Sequence, residues 1–208
     1  MYTSARNIRE TLQDTHILDT LFNGYPSLIP LPQYILDSIS HSTRLLITGH
    51  SLGAGIALIL SYLLQQKYPN YCISFAPPGQ TILKEREIVD DRVACVIIGN
   101  DIVPRMSSLS VILFFYTTQL YHQWEHMHYR RRRTRSVIVN EPLVRLPGHI
   151  LHLLRISPSI TRINQQAEYR VVSASAEEFW TLSLHNHWFT DHFIFNYPRW
   201  FSETIEDW

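Results

Sequence analysis

Residues 47–58, ITGHSLGAGIAL, decide how this sequence is interpreted, because they contain the pentapeptide GHSLG at residues 49–53. The pentapeptide fits the pattern G-x-S-x-G, in which a serine occupies a strained turn between a strand and a helix. A pattern this short also occurs by chance. The flanking residues must therefore decide whether Ser51 is a nucleophile or an inert serine among glycines.

Both flanks favour the strained turn. Residues 44–48, RLLIT, form a short apolar run with β-branched members, which is typical of a buried strand. After Ser51 a long apolar run continues without proline until Pro69, which predicts a buried helix over 52–67. Strand, sharp turn and helix together predict that Ser51 is a nucleophile, with an inert serine as the alternative.

Steric and polar requirements of such a turn explain the neighbouring residues. Gly49 and Gly53 are expected to allow the tight backbone turn, and Gly55 to let the helix approach the sheet. The start of the helix directs backbone N–H groups at the reaction centre. The backbone N–H of Leu52 is therefore the expected first donor of an oxyanion hole.

Composition restricts the class of protein. The 208 residues are enough for one α/β domain, and 45% of them are hydrophobic. The formal net charge is zero, which gives no electrostatic basis for binding nucleic acid. Cys72 and Cys95 each lie in an apolar run and are predicted to be buried free thiols. No apolar run is long enough for a membrane span, and there is no signal-peptide pattern.

Strands and helices alternate along the first half of the chain. Residues 4–22 are predicted to form a helix whose apolar side includes Ile8, Leu12 and Leu18. A second helix is predicted over 32–40. The further elements are strands at 44–48, 71–76 and 93–99, the helix at 52–67, and a Pro-Pro-Gly turn at 77–79. This alternation predicts a mainly parallel α/β sheet, in which chemistry lies beyond the carboxyl ends of the strands.

A serine nucleophile needs a base and an orienting acid, which follow in the order Ser, Asp or Glu, His in sheets of this kind. Asp101 directly follows the strand at 93–99 and is the candidate acid, with a solvated turn aspartate as the alternative. The chain has 11 histidines. The candidate bases are His185, His187 and His192, and the residue pattern alone leaves all three open.

The chain contains, in this order, the blocks ITGHSLGAGIALIL, FAPPG, VIIGNDIVPRMS and DHFIFNYP, with PLVRLPGHILHLLRI at 142–156 before the last of them. Together the four blocks resemble the class 3 lipases, and within them the sn-1-specific diacylglycerol lipases, and residues 142–156 resemble the family's late strand. The resemblance runs roughly from Tyr2 to Trp200 and is vague between residues 109 and 140. The order of the blocks is more specific than the serine block, which many hydrolases share.

The resemblance implies an α/β-hydrolase-like fold in one domain, residues 1–208, and a Ser51, Asp101, His192 triad. It implies that a fatty-acyl ester of diacylglycerol or a related acylglycerol is hydrolysed through an acyl-enzyme, without a metal or an organic cofactor. The expected location is intracellular, either cytoplasmic or peripheral on membranes.

The resemblance also predicts missing parts. Only 43 residues precede the strand at 44–48, where the family has further strands, one loop of which carries the second oxyanion donor. The amino-terminal membrane helices of diacylglycerol lipases are missing as well. We therefore expect a fragment, a wrongly started gene product or a shortened homologue with half an oxyanion hole. The alternative function is a catalytically silent lipase-like fragment that acts as an interaction module.

Two adjacent segments suggest contact with a membrane. The run RRRRTR, Arg130–Arg135, is either a solvated loop or a docking site for anionic headgroups. The apolar, aromatic residues 110–121 are either a lid or membrane-dipping element or an ordinary core segment.

His122, Glu125 and His126 fit H-x-x-E-H, a pattern of zinc peptidases. The neighbouring arginines would oppose a bound cation, and with so many histidines a chance match is the favoured explanation. We therefore expect no metal site there.

Overall fold

The computed structural model describes residues 1–23, 32, 44–79, 81, 90–106, 146–156, 168–179 and 187–205. The helices are α1 (Tyr2–Asp14), α2 (Ile17–Asn23), α3 (Leu52–Leu64) and α4 (Asn196–Ile205). The strands are β1 (Leu45–His50), β2 (Asn70–Phe75), β3 (Val93–Ile98), β4 (His149–Ile156) and β5 (Glu168–Ala174). They form one sheet in the order β1-β2-β3-β4-β5.

The expected α/β class is confirmed. β1 pairs in parallel with β2, and β2 with β3, while β4 and β5 are antiparallel. The predicted strands at 44–48, 71–76 and 93–99 correspond to β1, β2 and β3, with shifts of one or two residues at their ends. The helix predicted over 52–67 is α3, which ends earlier, at Leu64.

The single helix predicted over 4–22 is wrong, because the chain forms α1 and α2 with a break between them. His16 in the break has φ +55°, a left-handed conformation that a helix does not contain. The hydroxyl of Thr15 donates to the carbonyl of Thr11 at 2.7 Å, inside the last turn of α1. The predicted apolar side is also wrong at Ile8, which is 41% exposed, whereas Ala5 and Leu18 are buried.

By contacts the chain divides into two compact units. Unit 1 comprises Met1–Pro77, Thr81–Val96 and Pro147–His149, and unit 2 comprises Pro78–Gln80, Ile97–Leu146 and Ile150–Trp208.

In the core of unit 1, α3 packs against β1, β2 and α1. Ala54, Leu58 and Leu64 of α3 are buried, and so are Cys72 and Cys95 of the sheet. Both cysteines are free, as predicted. Burial raises the pKa of Cys72 to about 12 and also raises the pKa of Cys95, which keeps both thiols protonated and unreactive.

A polar cluster joins α2 to the segment between α3 and β2. The Asp19 carboxylate accepts hydrogen bonds from Lys67 Nζ, 2.9 Å from Oδ1, and from the Tyr68 hydroxyl at 2.8 Å. Mainly because of the hydrogen bond from Lys67, and then that from Tyr68, the pKa of Asp19 falls to about 2.

In unit 2, α4 packs against β5. Short 3₁₀ helices at Val103–Arg105, Ala176–Phe179 and Thr190–His192 lie in the same unit. His152 of β4 is buried against the ring of Phe179, with 5.1 Å between ring centroids.

Several predictions fall on residues that the structure does not describe. These are the second helix apart from Pro32, the apolar segment 110–121, the run Arg130–Arg135, and the motif His122, Glu125 and His126. In the described part of the chain, no helix has both the length and the apolar character that crossing a membrane requires.

Candidate active site

Ser51 occupies the turn that joins β1 to α3. Its φ and ψ are +55° and −123°, a strained conformation for a residue with a side chain. The turn is held on both sides: the Ser51 N–H donates to the Phe75 carbonyl at 2.9 Å, and the Ser51 carbonyl accepts the Ala54 N–H at 3.0 Å. The hydroxyl makes no helix-capping hydrogen bond. The predicted strand, strained turn and helix are therefore all present around a half-buried serine.

The glycines around Ser51 are not equivalent, although the sequence suggested the same role for Gly49 and Gly53. A Cβ on Gly49 would lie 2.3 Å from the Gly53 carbonyl oxygen, so position 49 has no room for a side chain. A Cβ on Gly53 would meet nothing within 4 Å, and Gly53 does not have a positive φ. The turn therefore requires glycine at 49 but not at 53.

Gly55 also differs from its expected role. A Cβ there would approach Met1 Sδ at 2.5 Å and Thr81 at 3.3 Å, so its close neighbours are those two side chains rather than the sheet. The approach of α3 to the sheet occurs at Ala54, whose carbonyl accepts the Ser74 hydroxyl of β2 at 3.3 Å.

Leu52, the predicted oxyanion donor, is the first residue of α3 and is 60% exposed. The N–H groups of the first turn of an α-helix have no acceptor within the helix. The Leu52 N–H thus lies directly beside Ser51 in the chain, at the positive end of the helix dipole.

Asp101 and His192 are brought together in unit 2, 91 residues apart in sequence. His192 Nδ1 lies 3.0 Å from Asp101 Oδ2 and 3.1 Å from Oδ1. The Asp101 side chain is fully buried, and its Oδ1 also accepts the Val103 N–H at 2.9 Å. A buried carboxylate in this position fixes the orientation of the imidazole ring.

The short 3₁₀ helix Thr190–His192 presents His192 to Asp101. Of the other candidate bases, His187 is exposed, and its carbonyl accepts the Asp191 N–H at 2.9 Å. His185 lies outside the described residues. The geometry therefore selects His192 over His187 as the partner of Asp101.

Two residues near this pair were quoted in the sequence blocks without a role. Arg105 is buried, donates from Nη1 to the Glu178 carbonyl at 2.9 Å and lies over the Phe179 ring. Tyr197 of α4 is buried, and burial, followed by the charges of Asp101 and Asp191, raises its pKa. The sequence signal for Tyr197 is its place in the DHFIFNYP block.

Ser51 belongs to unit 1, whereas Asp101 and His192 belong to unit 2. Among the described residues there is no group of three or more His, Cys, Asp or Glu side chains that could hold a metal ion. The arrangement of Asp101 and His192 suits proton transfer, and that of Ser51 suits nucleophilic attack.

Known proteins resemble the chain in this region. Residues 29–111 match the family Lipase (class 3). Human diacylglycerol lipase-alpha is 44% identical over 111 residues, which is 51% of this chain and 9% of the human protein. Mouse diacylglycerol lipase-beta is 38% identical over 72 residues, covering 34% of this chain and 11% of the mouse protein. The predicted resemblance is thus confirmed over this part of the chain.

The chain spans only about a tenth of the length of these relatives. Ser51 and Asp101 lie inside the residues that match the family, and His192 lies outside them. Among solved structures, the crystal structure of M37 lipase is 17% identical with a TM-score of 0.25, covering 46% of this chain and 29% of that one.

Proposed function

We propose, from the match of residues 29–111 to the class 3 lipases, that this chain is a serine ester hydrolase acting on acylglycerols. Ser51 is the nucleophile, His192 the general base and acid, and Asp101 the residue that orients His192. In this proposal, residues 1–208 form one catalytic domain. The observation that carries the proposal is the contact between His192 Nδ1 and the buried Asp101 carboxylate. A general base needs a carboxylate that orients its ring, whereas a solvated surface histidine is hydrogen-bonded by water.

The contact with Asp101 determines which ring nitrogen reacts. With its proton on Nδ1, the imidazole donates to Asp101 and carries the lone pair on Nε2. Nε2 takes the proton of the Ser51 hydroxyl as the Ser51 oxygen attacks the ester carbonyl carbon. Asp101 stabilises the imidazolium that results, and it does so without taking the proton itself.

The tetrahedral intermediate then places negative charge on the former carbonyl oxygen. The Leu52 N–H at the start of α3 donates a hydrogen bond to this oxygen. As the C–O bond to the glycerol oxygen breaks, His192 returns its proton to that oxygen and the alcohol leaves. Water, deprotonated by His192, attacks the acyl-enzyme and releases the fatty acid with Ser51 restored.

Labelling with a fluorophosphonate, which reacts with activated serines, tests the nucleophile directly. The probe should modify Ser51 in the full chain, and Ser51→Ala should abolish labelling. Ser202→Ala is the matched control, because Ser202 is an exposed serine in α4 whose hydroxyl donates to the Arg199 carbonyl. Labelling that persists in Ser51→Ala would contradict the proposal by placing the reactive serine elsewhere. The absence of any labelling of the full chain would leave the silent lipase-like fragment.

The substrate class requires its own experiment. Release of fatty acid from diacylglycerol in mixed micelles should be lost in Ser51→Ala and unaffected in Ser202→Ala. Hydrolysis of a short soluble ester without any hydrolysis of diacylglycerol would retain the esterase chemistry and reject the acylglycerol substrate.

Contact with a membrane surface is part of the same proposal, with a cytoplasmic or membrane-peripheral location. The support is the charge of the run Arg130–Arg135, which follows the apolar residues 110–121 closely in sequence. Each basic residue near an anionic surface contributes about 1 kcal/mol to binding. Co-sedimentation should therefore be stronger with phosphatidylserine vesicles than with phosphatidylcholine vesicles, and replacing the arginines of 130–135 by glutamine should remove the difference.

A further inference from the structure

Hydrogen bonds besides the contact of the pair itself link the two chain segments that carry Asp101 and His192. One runs from the Ile102 N–H to the Trp188 carbonyl at 3.3 Å, and another joins residues directly beside the pair. The Asn100 N–H donates to Asp191 Oδ2 at 2.8 Å. Asn100 directly precedes Asp101, and Asp191 directly precedes His192. The hydrogen bond therefore joins the immediate neighbours of both members of the pair, within one compact unit.

Gly99 provides the space that the Asp191 carboxylate occupies. Gly99 has φ +46°, and a Cβ added to it would lie 2.5 Å from Asp191 Oδ2 and 3.1 Å from Asp191 Cγ. The carboxylate thus packs directly against the Gly99 backbone while it accepts the Asn100 N–H. Residues 99 and 191 are matched in shape, since any side chain at 99 would displace the carboxylate.

The loop that Asp191 contacts is fixed from its other side by β4. The Gly99 N–H donates to the Leu153 carbonyl at 2.7 Å, and the Gly99 carbonyl is 2.7 Å from His152 Nε2. Burial lowers the pKa of His152, so the ring is neutral and its Nε2–H donates to Gly99. A loop anchored in this way is a rigid reference against which Asp191 sets the 3₁₀ helix Thr190–His192.

We infer that Asp191 is a positioning residue, whose carboxylate holds the backbone of His192 at the distance from Asp101 that catalysis requires. The inference rests on the proposed function, because it assigns Asp191 a role only through that pair. Catalytic groups must be held within about 0.5 Å of their productive positions. A displacement of about 1 Å costs about 100-fold in rate.

The test compares three variants of the full chain in the hydrolysis of diacylglycerol. Asp191→Ala removes the acceptor, and kcat should fall about 100-fold with little change in KM, because the inferred role of Asp191 is to position His192 and not to bind substrate. Asp191→Asn keeps an oxygen that accepts the Asn100 N–H and has nearly the same shape, so it should retain a kcat close to that of the parent. Glu177→Ala is the matched control, because Glu177 is an exposed acid in another 3₁₀ helix of the same unit.

Each outcome supports or overturns the inference. An unchanged kcat in Asp191→Ala overturns it. A kcat that falls as far in Asp191→Asn as in Asp191→Ala also overturns it, because the effect would then come from the negative charge of Asp191 and not from its hydrogen bond. The Ser51→Ala variant separates the two levels. If Ser51→Ala retains hydrolysis, the proposed function fails; if Ser51→Ala is inactive while Asp191→Ala is fully active, only the positioning role fails.

A second readout needs no turnover. The proton on His192 Nδ1, hydrogen-bonded to Asp101, should give a low-field NMR resonance that disappears in His192→Gln. Asp191→Ala should shift or broaden that resonance, whereas Asp191→Asn and Glu177→Ala should leave it in place. An unshifted resonance in a folded Asp191→Ala protein would overturn the inference whether or not the chain hydrolyses esters.

Discussion

Replacing Gly49 by alanine should destabilise the protein strongly, whereas the same change at Gly53 should not. The two glycines flank Ser51 symmetrically in the motif, but only Gly49 faces backbone atoms. The added methyl would lie 2.3 Å from the Gly53 carbonyl oxygen, 2.5 Å from its carbonyl carbon and 2.8 Å from the Ala54 nitrogen. Ordinary contacts begin near 3.4 Å, so the first turn of α3 would have to move by about 1 Å.

The size of the effect follows from what must move. Inserting a methyl group into a packed region costs about 1–3 kcal/mol when side chains can yield. Here backbone atoms must yield, so we expect a loss of about 3 kcal/mol in the free energy of unfolding from Gly49→Ala. That is about a 100-fold change in the unfolding equilibrium. Gly53→Ala lies in a helix with open space around it, and it should be neutral or stabilising by up to about 1 kcal/mol.

Urea unfolding measures the difference. The free energy of unfolding falls by about 1–3 kcal/mol per molar urea. The urea midpoint of Gly49→Ala should therefore lie about 1–3 M below that of Gly53→Ala. Hydrogen exchange of amides in α3 then reports whether the loss lies in unit 1. Equal midpoints for the two variants would refute the reasoning, because the backbone around Ser51 would have to accommodate both methyl groups equally.

Three further predictions concern single residues. His192→Ala should lower ester hydrolysis by about 1,000-fold or more while His187→Ala has little effect, and the opposite order in a kinetic assay would move the base to His187. The folded-state pKa of Asp19, about 2, lies below its ordinary value of 3.8, so its contribution to stability is present above about pH 4 and is lost as the pH falls towards 2. As the pH falls from about 4 to about 2, the urea midpoint should therefore decline in the parent protein and decline less in Asp19→Asn. Equal declines in the two proteins would show that Asp19 does not contribute to stability in this way. Ser51→Gly should raise the free energy of unfolding by about 1 kcal/mol, because glycine adopts this φ without strain, and fluorophosphonate labelling should be lost. A melting temperature below that of the parent would show that the turn is not strained.

The parallel part of the sheet was predictable from sequence because its signals are local. Short runs rich in β-branched and apolar residues gave β1, β2 and β3 to within one or two residues. The break at His16 was not predictable, because the residues on both sides of it have a helical pattern and nothing in the sequence marks a positive φ there. Local pattern gives the type of an element more reliably than its continuity.

The candidate site was predictable only in part. Asp101 followed from its place at the end of a strand, but residue pattern could not choose among the histidines, and the choice of His192 came from the family resemblance. The contact between Asn100 and Asp191 spans 91 residues, and no local signal encodes it. The difference between Gly49 and Gly53 is also invisible in the motif, because it depends on which way each Cβ would point.

The backbone itself marks the ends of the parallel strands as unusual. Ser51 follows β1, Ala76 follows β2 and Gly99 follows β3, and all three have φ between +46° and +55°. For the two residues with a side chain this conformation costs about 1–3 kcal/mol each, which the surrounding hydrogen bonds must offset. Ser51 donates to Phe75, and Ala76 donates to Val96, so each strained residue is tied to the neighbouring strand. A sheet needs no such strain to fold, and retained backbone strain is common at functional sites, so the strained turn at Ser51 supports the role proposed for this residue.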